Sequence, residues 1–68
     1  MDKKRAGKLI RLARVAKGIT QNELARELQV TQGAVVQWEQ GKAFPKASNL
    51  VKVASILGIP IEKLMKAG

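Results

Sequence analysis

The residue types that point most directly to a chemistry are grouped between Gln32 and Gln37. A glutamine amide can hydrogen-bond two atoms of adenine at once, and small apolar groups pack against the methyl group of thymine. Short residues in the same segment allow its backbone to approach a ligand closely. Because one exposed glutamine is usually only solvated, this interpretation depends on the spacing and on the charge around it. The residues predicted to contact base pairs are Gln32, Gly33, Ala34, Val36 and Gln37.

Basic residues flank this group instead of lying within it. The chain has a net charge of +8. Residues 1–18 hold seven basic residues and one acidic residue, and residues 42–68 hold five basic residues and one acidic residue. In contrast, residues 19–41 hold one basic residue and three acidic residues. Flanking positive charge suits contact with a phosphate backbone, while sequence is read separately at the base edges. The pattern predicts a nucleic-acid partner, and the alternative is an ordinary solvated surface.

The composition excludes several other classes of function. The chain has neither Cys nor His, so disulfides, thiolate metal sites and imidazole ligands are all excluded. Ser48 and Ser55 have no His to activate them as nucleophiles. No apolar run approaches the roughly 20 residues that a membrane-spanning helix needs. We therefore expect a soluble intracellular binding protein that is not an enzyme and needs no cofactor or metal.

Apolar residues recur at helical spacing along the whole chain and predict an all-α fold. The central pair of helices carries the clearest signals: Thr20 and Glu23 form a capping box, and Thr31 caps the next helix. Short connections and a length of 68 residues predict one compact five-helix domain, residues 1–68. The first helix is expected from Asp2 or Lys3 to Lys17, the third from Gln32 to about Gln40, the fourth from Ala47 or Ser48 up to Gly58, and the fifth from Pro60 to about Lys66.

The same spacing predicts the buried faces. Ala25 is the small residue that allows the second and third helices to cross closely, and Val30 and Val35 fill the wedge between them. The residues expected to be buried in the first helix are Leu9, Ile10, Ala13 and Ala16. Those of the second helix are Leu24, Ala25 and Leu28, and those of the fourth helix are Leu50, Val53, Ala54 and Leu57.

The segment from Ile19 to Gly41 has the pattern IT-Q-xx-LA-xx-L-xV-TQxAVxxWE-xG. This pattern resembles the helix-turn-helix of lambdoid phage repressors and Cro proteins, which are of the XRE-like type. This resemblance implies a lambda-repressor-like fold whose third helix enters the major groove of double-stranded operator DNA. It also implies a location in the cytoplasm of a bacterial cell, at the nucleoid. It leaves open whether the chain is a whole Cro-like protein or the first part of a longer repressor. The similarity extends over nearly the whole chain, to Ile10, Arg14, Pro45, Leu50, Leu57 and Leu64.

The resemblance also implies individual roles. Gln21 would touch a phosphate and brace Gln32, which would contact a base, with Gly33 and Gln37 at the other reading positions. The amide end of the second helix favours phosphate as well, because its free N–H groups and dipole attract anions. A mobile arm over Lys3, Lys4 and Arg5 is the alternative to their place at the start of the first helix. The expected phosphate contacts are Arg14, Thr20, Gln21, Asn22, Gln40, Lys42 and Lys46, and Arg14 also forms a structural ion pair with Glu39.

Gln29 departs from the resemblance, since glycine usually occupies this turn position. If Gln29 adopts the left-handed conformation, the cost is on the order of 1 kcal/mol.

One recognition helix reads few bases, so we expect a homodimer on a near-palindromic operator with half-sites about 34 Å apart. Ile59, Ile61 and Met65 are the candidate dimer contacts, and repression by occupation of the operator is the expected role. An antitoxin-like or other protein-interaction module with the same fold is the first alternative. A cationic amphipathic helix on membranes is the second, although the caps and apolar repeats favour a globular fold.

Overall fold

The structure, a computed structural model, describes residues 2–66 and confirms the predicted all-α fold of five helices. Met1, Ala67 and Gly68, at the ends of the predicted domain, lie outside the described residues. The helix bounds differ from the predicted ones by about one residue. The helices are α1 (Lys3–Ala16), α2 (Gln21–Leu28), α3 (Gln32–Glu39), α4 (Ala47–Leu57) and α5 (Ile61–Lys66).

Side-chain caps fix the starts of the first three helices. Asp2 Oδ1 accepts hydrogen bonds from the backbone N–H groups of Lys4 and Arg5, at 3.0 and 3.3 Å. The alternative of a mobile arm over Lys3, Lys4 and Arg5 is therefore wrong, because the Asp2 cap holds them in the first turn of α1. The predicted capping box of α2 and the Thr31 cap of α3 are both present.

One apolar core joins all five helices. Ile10, Leu24, Val35, Val53 and Leu64 are fully buried at its centre. All the predicted buried residues of α2 and α4 belong to this core.

The predicted buried stripe of α1 is wrong at one position. Ala16 is exposed, while Leu9 and Ala13 are partly buried and pack against the core. Ala16 lies six positions after Ile10 in the helix, so its side chain points about 120° away from that of Ile10.

α1 and α3 approach each other closely at Gly7. A Cβ atom at Gly7 would overlap the carbonyl oxygen of Trp38 and lie 3.1 Å from its carbonyl carbon. Gly7 is therefore required by packing, since any side chain would push α1 away from α3.

Within residues 2–66, no helix is long and apolar enough to cross a membrane.

Candidate nucleic-acid interface

The turn between α2 and α3 sets the angle at which α3 leaves the core. Gln29 ends α2 in the left-handed conformation, with φ 57° and ψ 42°. The N–H of Val30 then donates to the carbonyl oxygen of Ala25 at 3.0 Å. Ala25 is 1% exposed and Val35 fully buried, so the predicted wedge is closed by small and β-branched side chains. Gln29 thus adopts the left-handed conformation whose cost was considered above.

The outer face of α3 is uncharged and open to solvent. Gln32, Gly33 and Gln37 are exposed, whereas Val35 and Trp38 on the opposite side are buried. At 100° per residue, Gly33 and Gln37 lie on the side directly away from the core. The structure thus gathers these three predicted contact residues on one accessible surface.

The other two predicted base contacts lie at the edges of this surface. Val36 and Ala34 are each partly buried, and Ala34 packs against the hydrophobic core. Less of each side chain is therefore available to a ligand than at Gly33 or Gln37.

No steric constraint within the described structure requires glycine at position 33. A Cβ atom there would meet only Thr31 Oγ1, at 3.8 Å, which is an ordinary contact. Gly33 also has no left-handed backbone conformation to accommodate. Glycine has a lower helix propensity than alanine, by up to about 1 kcal/mol in a helix interior and by less in a first turn. Its presence on this surface fits a ligand that approaches the backbone closely.

An ion pair fixes α3 against α1. Arg14 Nε lies 2.6 Å from Glu39 Oε2, and Arg14 Nη2 lies 3.1 Å from Glu39 Oε1. The two side chains are 11% and 3% exposed. The hydrogen bonds to Glu39 raise the pKa of Arg14 above its ordinary value. The third nitrogen, Nη1, donates to the carbonyl oxygen of Ile19 at 2.7 Å, so the guanidinium also fixes the loop before α2.

Gln21 joins this network from α2. Its Nε2 donates to Glu39 Oε1 at 3.1 Å. The family resemblance predicted that Gln21 would brace Gln32, whereas here its amide nitrogen is directed to Glu39. The reason is electrostatic, since a carboxylate is a stronger hydrogen-bond acceptor than a neutral amide.

An open pocket of about 410 Å³, the α1–α2 pocket, lies between the end of α1 and the start of α2. The capping box uses the N–H groups of Thr20 and Glu23. The N–H groups of Gln21 and Asn22 in this first helical turn remain to bind an anion. The pocket brings together four predicted phosphate contacts and the first residue of α3: Arg14, Thr20, Gln21, Asn22 and Gln32.

Basic residues also meet at the opposite end of α3. Lys42 follows this helix, and its N–H donates to the carbonyl oxygen of Gln37 at 2.9 Å. The first turn of α1 lies beside this loop, because a Cβ atom at Gly41 would be 2.6 Å from Lys4 Cγ. The predicted phosphate contacts Gln40, Lys42 and Lys46 are all exposed, and Lys4 lies beside Gly41, between the first two. Lys4 was missed as a partner of this loop because its proximity depends on the packing of α1 on α3.

The predicted dimer contacts differ in exposure. Met65 is 53% exposed, whereas Ile59 and Ile61 are partly buried and pack against the core. Met65 is thus the most accessible of the three.

Comparisons with known proteins identify the architecture around this surface. A family profile described as Helix-turn-helix matches residues 10–64. An HTH-type transcriptional regulator of Haemophilus influenzae is 44% identical over 43 residues, which are 63% of this chain and 18% of that protein. The HTH-type transcriptional activator BcrR of Enterococcus faecalis is 33% identical over 52 residues, 76% of this chain and 26% of that protein. The chain therefore spans about a fifth to a quarter of the length of these two relatives.

A solved structure extends the comparison to three dimensions. The restriction-modification controller protein C.AhdI from Aeromonas hydrophila superposes with a TM-score of 0.83 at 30% identity, over 93% of this chain and 96% of that one. The close match in fold and the profile match over residues 10–64 agree with the XRE-like motif between Ile19 and Gly41. The chain belongs to the helix-turn-helix family, of the XRE-like type that includes the lambdoid phage repressors.

Proposed function

We propose that this chain binds double-stranded DNA in a sequence-dependent manner and regulates transcription. α3 lies in the major groove, where Gln32 and Gln37 donate and accept hydrogen bonds at base edges. The observation that carries the proposal is the uncharged outer face of α3, held rigidly by buried Val35 and Trp38 and flanked by basic residues. The partial exposure of Val36 suits a smaller role, packing against a thymine methyl group.

Phosphate contacts at the two ends of α3 fix its position in the groove. The α1–α2 pocket supplies the N–H groups of Gln21 and Asn22 at one end. Lys42 and Lys46 contact the backbone at the other end, together with Lys4, which lies beside Gly41. Such contacts set orientation and affinity, while the amides of α3 set the sequence preference.

The chain binds its operator as a homodimer. A two-fold dimer doubles the number of bases read and places two α3 helices about 34 Å apart, one turn of DNA. Met65 is a suitable contact because it is an exposed apolar side chain on the last described helix.

Repression follows from occupation of the operator, because a bound dimer blocks polymerase without any further protein contact. The relative from Enterococcus faecalis is named a transcriptional activator. Whether this chain represses or activates transcription therefore needs a separate test. A reporter promoter that overlaps the bound site should lose expression when the protein is present. Increased expression would contradict repression while leaving DNA binding intact.

Selection of bound duplexes from a random pool, followed by titration at two salt concentrations, tests the proposal. The expected result is a two-fold-symmetric site bound roughly 10³-fold or more tightly than unrelated DNA. Affinity for both should fall steeply as salt rises, because neutralised phosphates release counterions. Enrichment of no sequence would contradict operator recognition and favour a protein-interaction module.

A further inference from the structure

A second surface lies between α1 and α5, and we propose that it binds an acidic amphipathic helix of another protein. The space between the two helices is an open cleft of about 490 Å³, called here the α1–α5 cleft. This partner is separate from DNA, so the proposal goes beyond the proposed function. The cleft is lined by Arg5, Lys8, Leu9, Leu12, Lys63 and Lys66.

The cleft faces away from the surface proposed to read DNA. On α1, Gly7 and Arg14 face α3. Arg5 and Leu12 are each two positions away from one of these residues, which places them about 160° around the helix axis. α1 therefore lies between the cleft and α3, and DNA bound to α3 leaves the cleft accessible.

The base of the cleft is apolar. Leu9 is partly buried and packs against the hydrophobic core. Leu12 is 60% exposed, the highest value among the large apolar side chains of the described residues. A partner that covers Leu12 gains the free energy of removing this apolar surface from water.

The rim of the cleft is uniformly basic. Four cationic side chains surround the two leucines, and no acidic residue is among the lining residues. The one ion pair within residues 2–66 joins Arg14 to Glu39, so none of the four rim cations is neutralised by a salt bridge. Carboxylates of a bound partner would relieve this repulsion and steer the encounter.

This combination selects one kind of occupant. A second copy of the chain would bring the same four cations against themselves in a two-fold contact, which like-charge repulsion disfavours. Duplex DNA would neutralise the rim but offers no apolar side chain to cover Leu12. A helix with apolar residues at i, i+3 and i+4 and acids beside them satisfies both the base and the rim of the cleft.

The test uses a synthetic peptide of about 15 residues in which leucines at helical spacing form one face and glutamates the other. It is titrated into the isotopically labelled chain and followed by NMR. Shifts are expected at Leu9, Leu12 and Lys63 and should persist when α3 is occupied by duplex DNA. Shifts confined to α3, or shifts abolished by DNA, would mean that the peptide only mimics a polyanion and would overturn the proposal.

Two matched variants separate the cleft from general attraction to a basic protein. Leu12→Glu and Val51→Glu each add one negative charge at an exposed apolar residue, 60% and 57% exposed, and Val51 does not line the cleft. Leu12→Glu should weaken peptide binding roughly tenfold or more, and Val51→Glu should leave it within about twofold. Equal weakening by both variants, or no binding at about 1 mM peptide, would overturn the proposal. Thermal unfolding of both variants verifies that they are folded, and their DNA affinity is a separate readout of the proposed function.

Discussion

At Gln29 and Gly33 the residue type does not suit the backbone conformation. Gln29 is left-handed, which suits glycine, and Gly33 is helical, which suits a residue with a side chain. Each departure costs stability, and only Gly33 lies on the outer face of α3. Under the proposed function, close approach of DNA would account for the penalty at Gly33 but not for that at Gln29.

Gln29→Gly should raise the free energy of unfolding by up to about 1 kcal/mol, because the left-handed strain is removed while some chain entropy is lost. Chemical denaturation measures the change. Gln29→Ala is the control, since it keeps the strained backbone and should have little effect. A less stable Gln29→Gly variant would show that the glutamine side chain stabilises the turn.

Gly33→Ala should have opposite effects on folding and on DNA binding. The methyl group has room in the free protein, so helix propensity should raise stability, by less than the roughly 1 kcal/mol of a helix interior because Gly33 lies in the first turn of α3. The same methyl group projects from the outer face of α3 and should weaken operator binding. Denaturation and DNA titration of this variant test both effects, and unchanged affinity would mean that the backbone does not approach the bases closely at Gly33.

At the scale of the elements, local signals in the sequence predict helix starts well. The capping residues Thr20, Glu23 and Thr31 act on groups within three positions along the chain, so their roles follow from sequence alone. The contact of Gly7 with Trp38 joins two distant helices, and only the folded structure reveals it. A glycine within an otherwise helical pattern was the one available signal.

The capping box of α2 makes stability depend on pH in a defined direction. The pKa of Glu23 lies below its ordinary value of 4.5. The main cause is the hydrogen bond from the Thr20 N–H to the carboxylate, and a hydrogen bond with the Thr20 side chain is the second cause. The stabilisation is therefore present above about pH 4.5 and is lost as the pH falls through the lower pKa of the folded state.

Comparison with Glu23→Gln measures this dependence, because glutamine can keep the hydrogen bond but does not titrate. The stability advantage of the wild-type chain over Glu23→Gln should be constant near pH 6–7 and shrink toward about pH 3. Urea unfolding at several pH values gives the difference directly. An advantage that is the same at about pH 3 and pH 6 would contradict the role of the Glu23 charge.

At the scale of the whole molecule, positive charge surrounds the uncharged outer face of α3. Net charge along the sequence predicts this separation, since residues 19–41 are the least basic part of the chain. The fold adds what sequence cannot give, because it brings Lys4 of α1 beside Gly41 and Lys42. It also turns Lys63 to the α1–α5 cleft, on the far side of α1 from α3.

This arrangement predicts which lysines determine the salt dependence of DNA binding. Lys4→Gln and Lys42→Gln should each reduce the slope of log affinity against log salt by about 1, equally on operator and unrelated DNA. Lys63→Gln has the same change of charge in the cleft and should leave the slope nearly unchanged. Equal effects of all three substitutions would indicate that net charge alone attracts DNA.

The most direct test of sequence reading by α3 is to repeat the random-pool selection with Gln32→Ala, using Lys42→Gln as the control. Gln32→Ala should relax the preference at one base pair in each half-site and preserve the rest, while Lys42→Gln should return the wild-type site with weaker binding overall. An unchanged site for Gln32→Ala would contradict the account, because the first exposed residue of α3 would then contribute nothing to the choice of sequence.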